Sequence, residues 1–491
     1  MAVTPTTRWQ VNGYRFLVRR MEHALIRRDV RMLHDPMRSQ SRALAVGVVI
    51  ASLGLAACAA LALFRPQDKI GDASIVVAKD SGAMYVVMGD TLRPVLNLAS
   101  ARLIVGQASN PVIVKESEID TRPRGAVVGI PGAPSALSPG GESGETPWTV
   151  CDSVAADGHR SVATSIVVGE TEGPGNTALA GDQALLVSAS EASYLMYGGK
   201  RARIDMDDPA VTRALGLEGA RPRPVSRGLL NAVPEVPPLR APVIPGAGSR
   251  PGFVLQDKVV GSVFQVVIGS DTVHYVVLRD GIQKISSAVA NLILLSNSQG
   301  DTEMSSVTPD ATNRIPSVDE IPVSSFPDTA PRIVDASENP VSCLTWTPLR
   351  GAGETDSSAP AAELRLLAGR ALPIPEDART VALAQADGGA DNADSVYVSP
   401  GAGGFVQATG IESTSTRRDS TFFVADTGVR FGVPDEDSSK ALGVEGTPPL
   451  APWQILGLLA PGPSLGKSAA LVAHDGIAPD SAPAAVTSGT S

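Results

Sequence analysis

A run of 22 uncharged residues, Ala43 to Phe64 ("ALAVGVVIASLGLAACAALALF"), constrains this chain more than any other feature. As a helix rising about 1.5 Å per residue it is roughly 33 Å long, enough to cross a bilayer core. Arg38 and Arg42 precede it and Arg65 follows it. It divides 491 residues into a short arm and a body long enough for several domains. Residues 1–42 carry nine Arg, no Lys and three acids (Glu22, Asp29, Asp35), a balance of +6. The remaining 449 residues hold 32 basic and 48 acidic groups, a balance of −16. Basic residues collect on the cytoplasmic side of a span. The arm is therefore expected in the cytoplasm and the body outside it, as a single-pass protein of the plasma membrane. An acidic body lacks the basic surface that phosphate contacts need, which argues against nucleic acid as a partner.

"LAAC", Leu55 to Cys58, offers a rival reading as a bacterial lipoprotein cleavage site. Against it, the 42 residues before the apolar run far exceed a usual signal n-region, and the run continues six residues past Cys58. The membrane anchor is the favoured reading.

Cys58 lies in the apolar run, which leaves Cys151 and Cys343 for the body. Two cysteines far apart in an extracytoplasmic region read as one disulfide. Their settings mirror each other, Trp148-Thr149-Val150-Cys151 and Cys343-Leu344-Thr345-Trp346, so a Trp is expected to pack over the bridge. Two free buried thiols are the alternative. Two Cys without nearby His are too few for a zinc site.

In the arm a helix is expected from Trp9 to Met32. Tyr14, Leu17, Val18, Met21 and Leu25 recur at i, i+3, i+4 spacing as an apolar stripe. Arg15, Arg19, Arg20, Arg27, Arg28 and Arg31 fill much of the rest. A basic amphipathic helix beside a membrane anchor can lie on anionic lipid or dock on a partner. A merely solvated basic face is the plainer reading.

Beyond the anchor one pattern recurs four times: a strand, a Gly turn, a second short strand, then a helical stretch. The copies are Ala83 to Gly106, Ser193 to Leu217, Val273 to Leu295 and Thr421 to Val444. Their glycines at 89, 198/199, 281 and 428 fit hairpin turns that need positive φ. Basic residues follow each turn (Arg93, Lys200 and Arg201, Lys284, Arg430). Degenerate repeats point to a modular scaffold in which like units pack on one another. The expected division is an arm (1–42), a transmembrane helix (43–64) and repeats at 72–125, 191–240, 253–330 and 416–477. A core domain is expected from 126–190 plus 331–415, with a disordered tail at 478–491. Two Pro/Gly-rich stretches, 131–147 and 233–252, read as extended linkers.

"PGPSLGKS", residues 461–468, fits two catalytic patterns, one imperfectly. A P-loop, G-x-x-x-x-G-K-[ST], would place its first Gly where Pro461 stands. A phosphate cradle is built from backbone N–H groups, and Pro461 and Pro463 have none. A hydrolase elbow around Ser464 needs an acid and then a His downstream, but no acid lies between Ser464 and His474. The segment reads instead as a Pro-marked turn, with Ser464 as N-cap of a helix over 465–473. The five His (23, 34, 159, 274, 474) are scattered, and His274 reads as structural. Loop acids such as Asp435 and Asp437 read as solvated turn residues, with an oxygen-rich calcium site as the alternative. No catalytic residue or metal set is assigned.

Taken together, the chain resembles EccB, a membrane component of the mycobacterial type VII (ESX) secretion system. The resemblance rests on "QVNGYRFLVRR" (10–20), "RRDVRM" (27–32), "LRPVLNLASARLIVG" (92–106) and "VGIPGAP" (128–134). The Cys151/Cys343 pair with its tryptophans, "DTGVRFGV" (426–433) and "LAPWQILGLLAPGPSL" (450–465) also carry it. It covers nearly the whole length. It implies an α+β fold: one transmembrane helix, then an elongated periplasmic region of four hairpin-and-helix repeats around a disulfide-linked β-rich core. It implies a structural subunit that assembles with the EccC ATPase, EccD, EccE, the mycosin protease and further copies of itself. Family repeats have been likened to cell-wall-binding modules, so a peptidoglycan-binding role is one alternative. Some members carry an ATPase label, so nucleotide hydrolysis at Gly466, Lys467 and Ser468 is another, with ATP the only cofactor implied. "DPMRSQSRA" (35–43) and "VPEVPPLRAPVIPGAG" (233–248) lean toward the paralogous system linked to iron and zinc uptake.

Overall fold

The computed structural model describes residues 7–31, 36–64, 69–138, 146–154, 162–349, 361–388, 391–444 and 446–476. The expected disordered tail at 478–491 lies outside them, as do Met32 and Arg65. The chain forms two compact units, Met1–Gly71 and Asp72–Ser491.

The first unit is helical. One helix spans Arg8–Arg27, shorter than expected. Arg28 takes a left-handed conformation (φ 56°), and the Asp29 carboxylate accepts the Arg31 N–H at 3.0 Å. Such a local Asx bond offers the backbone an alternative to another helical turn. The second helix spans Pro36–Phe64, with proline in the first turn, where its missing N–H costs nothing. Within it Gln40–Leu61 has a mean hydropathy of 2.4 and no buried residue.

The second unit is built on five main sheets, four of them modular. Module one is the simplest. Strands Ile75–Ala78, Met84–Met88 and Thr91–Pro94 form an antiparallel meander. Helix Leu98–Val105 follows, capped by Asn97, whose side chain accepts the Ser100 N–H. Strand Val112–Val114 then returns parallel to the first strand. A helical crossover is what lets a strand re-enter in parallel. Module three repeats this path with Val263–Ile268, Asp271–Val277, Ile282–Ile285, helix Ser287–Ser296 and return strand Ser305–Ser306.

Every module then reaches a second short helix and a second parallel return. In modules one and three these are helices Glu116–Ile119 and Pro309–Thr312, with single bridges of Leu92 to Arg124 and Ile282 to Ser317, whereas in modules two and four the return is a full strand. In module two, Gln183–Ala189, Ala192–Tyr197 and Lys200–Ile204 precede helix Pro209–Ala214. Strand Arg223–Pro224, helix Arg227–Ala232 and strand Glu235–Val236 complete it. In module four, Gly404–Thr409, Thr421–Val424 and Val429–Val433 precede helix Glu436–Leu442. Strand Leu450–Pro452, helix Trp453–Leu456 and strand Ala460–Pro461 follow. Each module thus opens one strand earlier than the hairpin-and-helix pattern indicates. In modules two and four that strand lies upstream of 191 and 416, and each is hydrogen-bonded to its own module's sheet.

The expected turn glycines divide into two kinds. Gly89, Gly198, Gly199 and Gly428 have positive φ. Gly281 does not; a Cβ there would lie 2.3 Å from the Pro316 carbonyl oxygen, so close backbone approach requires it.

The fifth main sheet is shared. Its central strands, Trp148–Val154 and Val341–Pro348, pair antiparallel. Val162–Val168 and Ala362–Gly369 flank them. Outside these, Ser395–Val398 pairs with Val162–Val168, and Asn176–Ala178 with Ala362–Gly369. Each half of the chain therefore lends its outer strand to the other half's hairpin. Three cores result. Modules one and four share one through Leu103, Phe423, Phe431 and Leu465. Modules two and three share another through Leu195, Val211, Val276 and Leu292. The central sheet packs with modules two and four around Trp148 and Trp346.

Candidate functional site

Residues 461–468 close module four. Pro461 extends the return strand beside Arg430. The Gly462 N–H donates to the Arg430 carbonyl and the Leu465 N–H to the Gly432 carbonyl, both at 2.8 Å. A Cβ on Gly462 would lie 2.4 Å from the Phe431 ring, so only glycine fits under that aromatic. Leu465 is fully buried between modules one and four. The helix expected over 465–473 is only Lys467–Ala470, and its N-cap is Gly466, not Ser464. The reason is that Leu465 is held by the sheet, so the chain cannot turn helical until it clears that bond. Ser464 Oγ instead reaches the Gly432 carbonyl at 3.5 Å. Ala473–His474 then pairs with Val127–Val128 of the chain segment that follows module one. His474 Nε2 lies 2.8 Å from the Gly129 carbonyl. Gly466, Lys467 and Ser468 thus sit on a clasp between the first and last modules. Asp435 is no free turn residue: it caps helix Glu436–Leu442 by accepting the Ser438 N–H at 2.7 Å.

Cys151 and Cys343 stand directly opposite each other on the two central strands and are bridged, with Cα atoms 4.0 Å apart. Trp148 likewise faces Trp346. The tryptophans do not pack over the bridge as expected. Successive strand residues point to opposite faces, so positions three apart do too. The disulfide packs with Val341, Leu367 and Leu372. The tryptophans lie on the other face, in the core shared with modules two and four.

On the tryptophan face lies a residue that sequence reasoning passed over. Asp152 is fully buried. Its carboxylate accepts from the Ser226 N–H (2.6 Å), Ser226 Oγ (2.9 Å) and Thr164 Oγ1 (2.9 Å). Ser226 in turn caps helix Arg227–Ala232 through the Leu229 N–H. Burial pushes the Asp152 pKa up to about 6, against the pull of these hydrogen bonds. A lone acid inside the apolar strand "WTVCDSV" was the available signal.

Arg15, Arg19, Arg20 and Arg27 lie on the Arg8–Arg27 helix; Arg28 is its C-cap and Arg31 lies beyond it. Tyr14, Leu17, Met21 and Leu25 are all exposed. These groups belong to the first unit and the clasp and disulfide to the second.

The family model described as "Type VII secretion system ESX-1, transport TM domain B" matches residues 3–479. The ESX-3 secretion system ATPase EccB3 of Mycolicibacterium smegmatis is 41% identical over 96% of this chain and 91% of that protein. The ESX-1 secretion system ATPase EccB1 of Mycobacterium tuberculosis is 37% identical over 100% of this chain and 99% of that one. Among solved structures, a chain of an intact ESX-5 inner membrane complex superposes with a TM-score of 0.74 at 35% identity, covering 99% of both chains. A chain of the EccB3 dimer from the ESX-3 core complex gives a TM-score of 0.71 at 37% identity, over 82% of this chain and all of that one. With the family model matching along almost the whole chain and relatives about 40% identical over nearly their full length, this chain belongs to the EccB family of type VII secretion membrane components.

Proposed function

We propose that this structural subunit anchors and organises the extracytoplasmic part of a type VII secretion complex. The observation that carries the reading is the match, along 99% of the chain, to a component of an intact ESX inner membrane complex. The arm faces the cytoplasm, as its nine arginines favour, and the modules face the periplasm. Its neighbours are EccC, EccD, EccE, the mycosin protease and further copies of itself. In the arm, Arg15, Arg19, Arg20, Arg27, Arg28 and Arg31 meet anionic lipid or an acidic partner surface. Co-purification at native expression in mild detergent, followed by mass spectrometry, tests this. A large complex containing the other membrane subunits is expected, and a protein that runs alone overturns the proposal.

Residues 461–468 act as a mechanical clasp rather than a nucleotide site. In support, the segment spends its Gly462 and Leu465 N–H groups on the sheet, and two of its residues are prolines. A Lys467→Ala variant should secrete normally. Loss of both secretion and ATP turnover in that variant would establish the ATPase reading that relatives' names carry.

A further inference from the structure

Modules two and four carry matching Arg-on-aromatic pairs, Arg201 on Tyr194 and Arg430 on Phe422, with ring distances of 5.8 and 5.9 Å. Their short second helices differ at the first residue. In module two it is Arg227, which pairs with Asp391 at 2.6 Å. In module four it is Trp453, which is 44% exposed. Arg430 lies 5.1 Å from the Trp453 ring, and Phe422 tilts against it at 5.6 Å. Beside this pair opens a hollow of about 320 Å³ lined in part by Thr409, Arg417, Asp419, Phe422, Trp453 and Gln454.

We propose that this hollow binds one ring of a neutral saccharide. Two observations specify that chemistry. Trp453 and Phe422 give an aromatic wall, whose electron-rich face suits the weakly positive C–H face of a pyranose. Arg417 Nε and Asp419 Oδ2 stand 3.8 Å apart on the rim, a donor beside an acceptor. Hydroxyl groups both donate and accept, so vicinal hydroxyls satisfy such a pair, whereas the backbone of a polyproline peptide offers only carbonyl acceptors there. The volume accommodates one ring rather than a folded partner. The Thr409 hydroxyl braces the wall by donating to the Arg417 carbonyl at 2.8 Å. This inference does not depend on the assembly role.

The test uses the full chain in a sugar-free detergent, in a Trp9→Phe background. Trp148 and Trp346 are each 1% exposed, so solvent-sensitive emission then reports Trp453. Chitotetraose, cellotetraose, maltotetraose and a decaproline peptide are titrated, with saturation-transfer NMR as a second readout. At least one saccharide should bind saturably. Trp453→Ala and Asp419→Ala should each weaken that binding by about tenfold or more, while Trp453→Phe keeps most of it. Thermal unfolding checks the fold of each variant, and Asp419→Ala decides the matter where Trp453→Ala misfolds. No saturable saccharide binding overturns the proposal. So does binding that neither substitution weakens, or Trp453-dependent binding of decaproline alone.

Discussion

In module two the Arg201 guanidinium lies over Tyr194 and donates to the Val233 carbonyl at 3.0 Å. In module four Arg430 lies over Phe422 and donates to the Leu459 carbonyl at 3.2 Å. Both bonds hold the turn before a second return strand, so the two modules solve the same closure alike. They part at the short helix. Module two caps it with Ser226 and ties that cap to buried Asp152 on the central sheet. Module four starts it after Pro452, with no side-chain cap bond, and leaves Trp453 exposed. One module is locked to the core by polar bonds. The other is held by Ile455 and Leu456 in the same core and by hydrogen bonds from Ala393 and Gln385 to the Leu458 carbonyl, with Trp453 left at the surface.

Four experiments break or sharpen that comparison. The largest effect should follow removal of the disulfide, which joins the halves carrying the two modules across 192 residues. A loop of that length corresponds to about 5 kcal/mol in the chain-entropy model. Denaturant unfolding of a Cys151→Ala, Cys343→Ala double variant should show a loss approaching this, with both modules affected alike.

The second concerns pH and the bond between module two and the central sheet. The Asp152 pKa is raised by burial from the ordinary 3.8 to about 6, so the folded state holds its proton more tightly than the unfolded chain. The resulting penalty is complete above about pH 6, fades as pH falls and is gone below about pH 4. At 1.36 kcal/mol per unit it is roughly 3 kcal/mol at most. Asp435 and Glu436 in module four have pKa values lowered, by hydrogen bonds from Ser438 and Lys440 respectively, and act in the opposite sense. Unfolding from pH 8 to 4 should therefore be compared between wild type and Asp152→Asn. The wild type should gain relative to the variant as pH falls, and parallel curves would refute the assignment.

Third, Ser226→Ala should cost about 1–2 kcal/mol, the loss of a helix cap, with some addition from the Asp152 carboxylate, which loses one of its three donors. Module four has no cap bond to lose at the corresponding Pro452. Fourth and smallest, Arg227→Ala breaks an ion pair whose side chains are both more than half exposed, and should change stability by less than about 0.5 kcal/mol. A larger loss would mean that the pair, rather than Asp152, locks module two.

Much of the plan was legible in the chain. Uncharged length identified the helix long and apolar enough to cross a membrane, and paired strands with turn glycines identified four repeats. The first strand of module four escaped because Gly404–Thr409 is followed by a long loop rather than a tight turn, whereas in module three Gly269 (φ 65°) marks a tight turn that the reading passed over. The tryptophans were placed on the wrong side of the bridge because spacing along the sequence was used without the alternation of a strand. Gly281 was read as a conformational requirement when it is a steric one, set by a carbonyl 35 residues away.

The sequence alone determined which residues could cross a membrane, which cysteines could pair and why 461–468 is poorly suited to cradle phosphate. Those properties reside in local composition: charge, apolar length and the missing N–H of proline. Only the tertiary structure decided that Asp152 sits in the core, that Leu465 and His474 clasp the last module to the first, and that Trp453 faces a hollow. These depend on which distant segments share a sheet or a core, and burial is a property of that packing rather than of the residue.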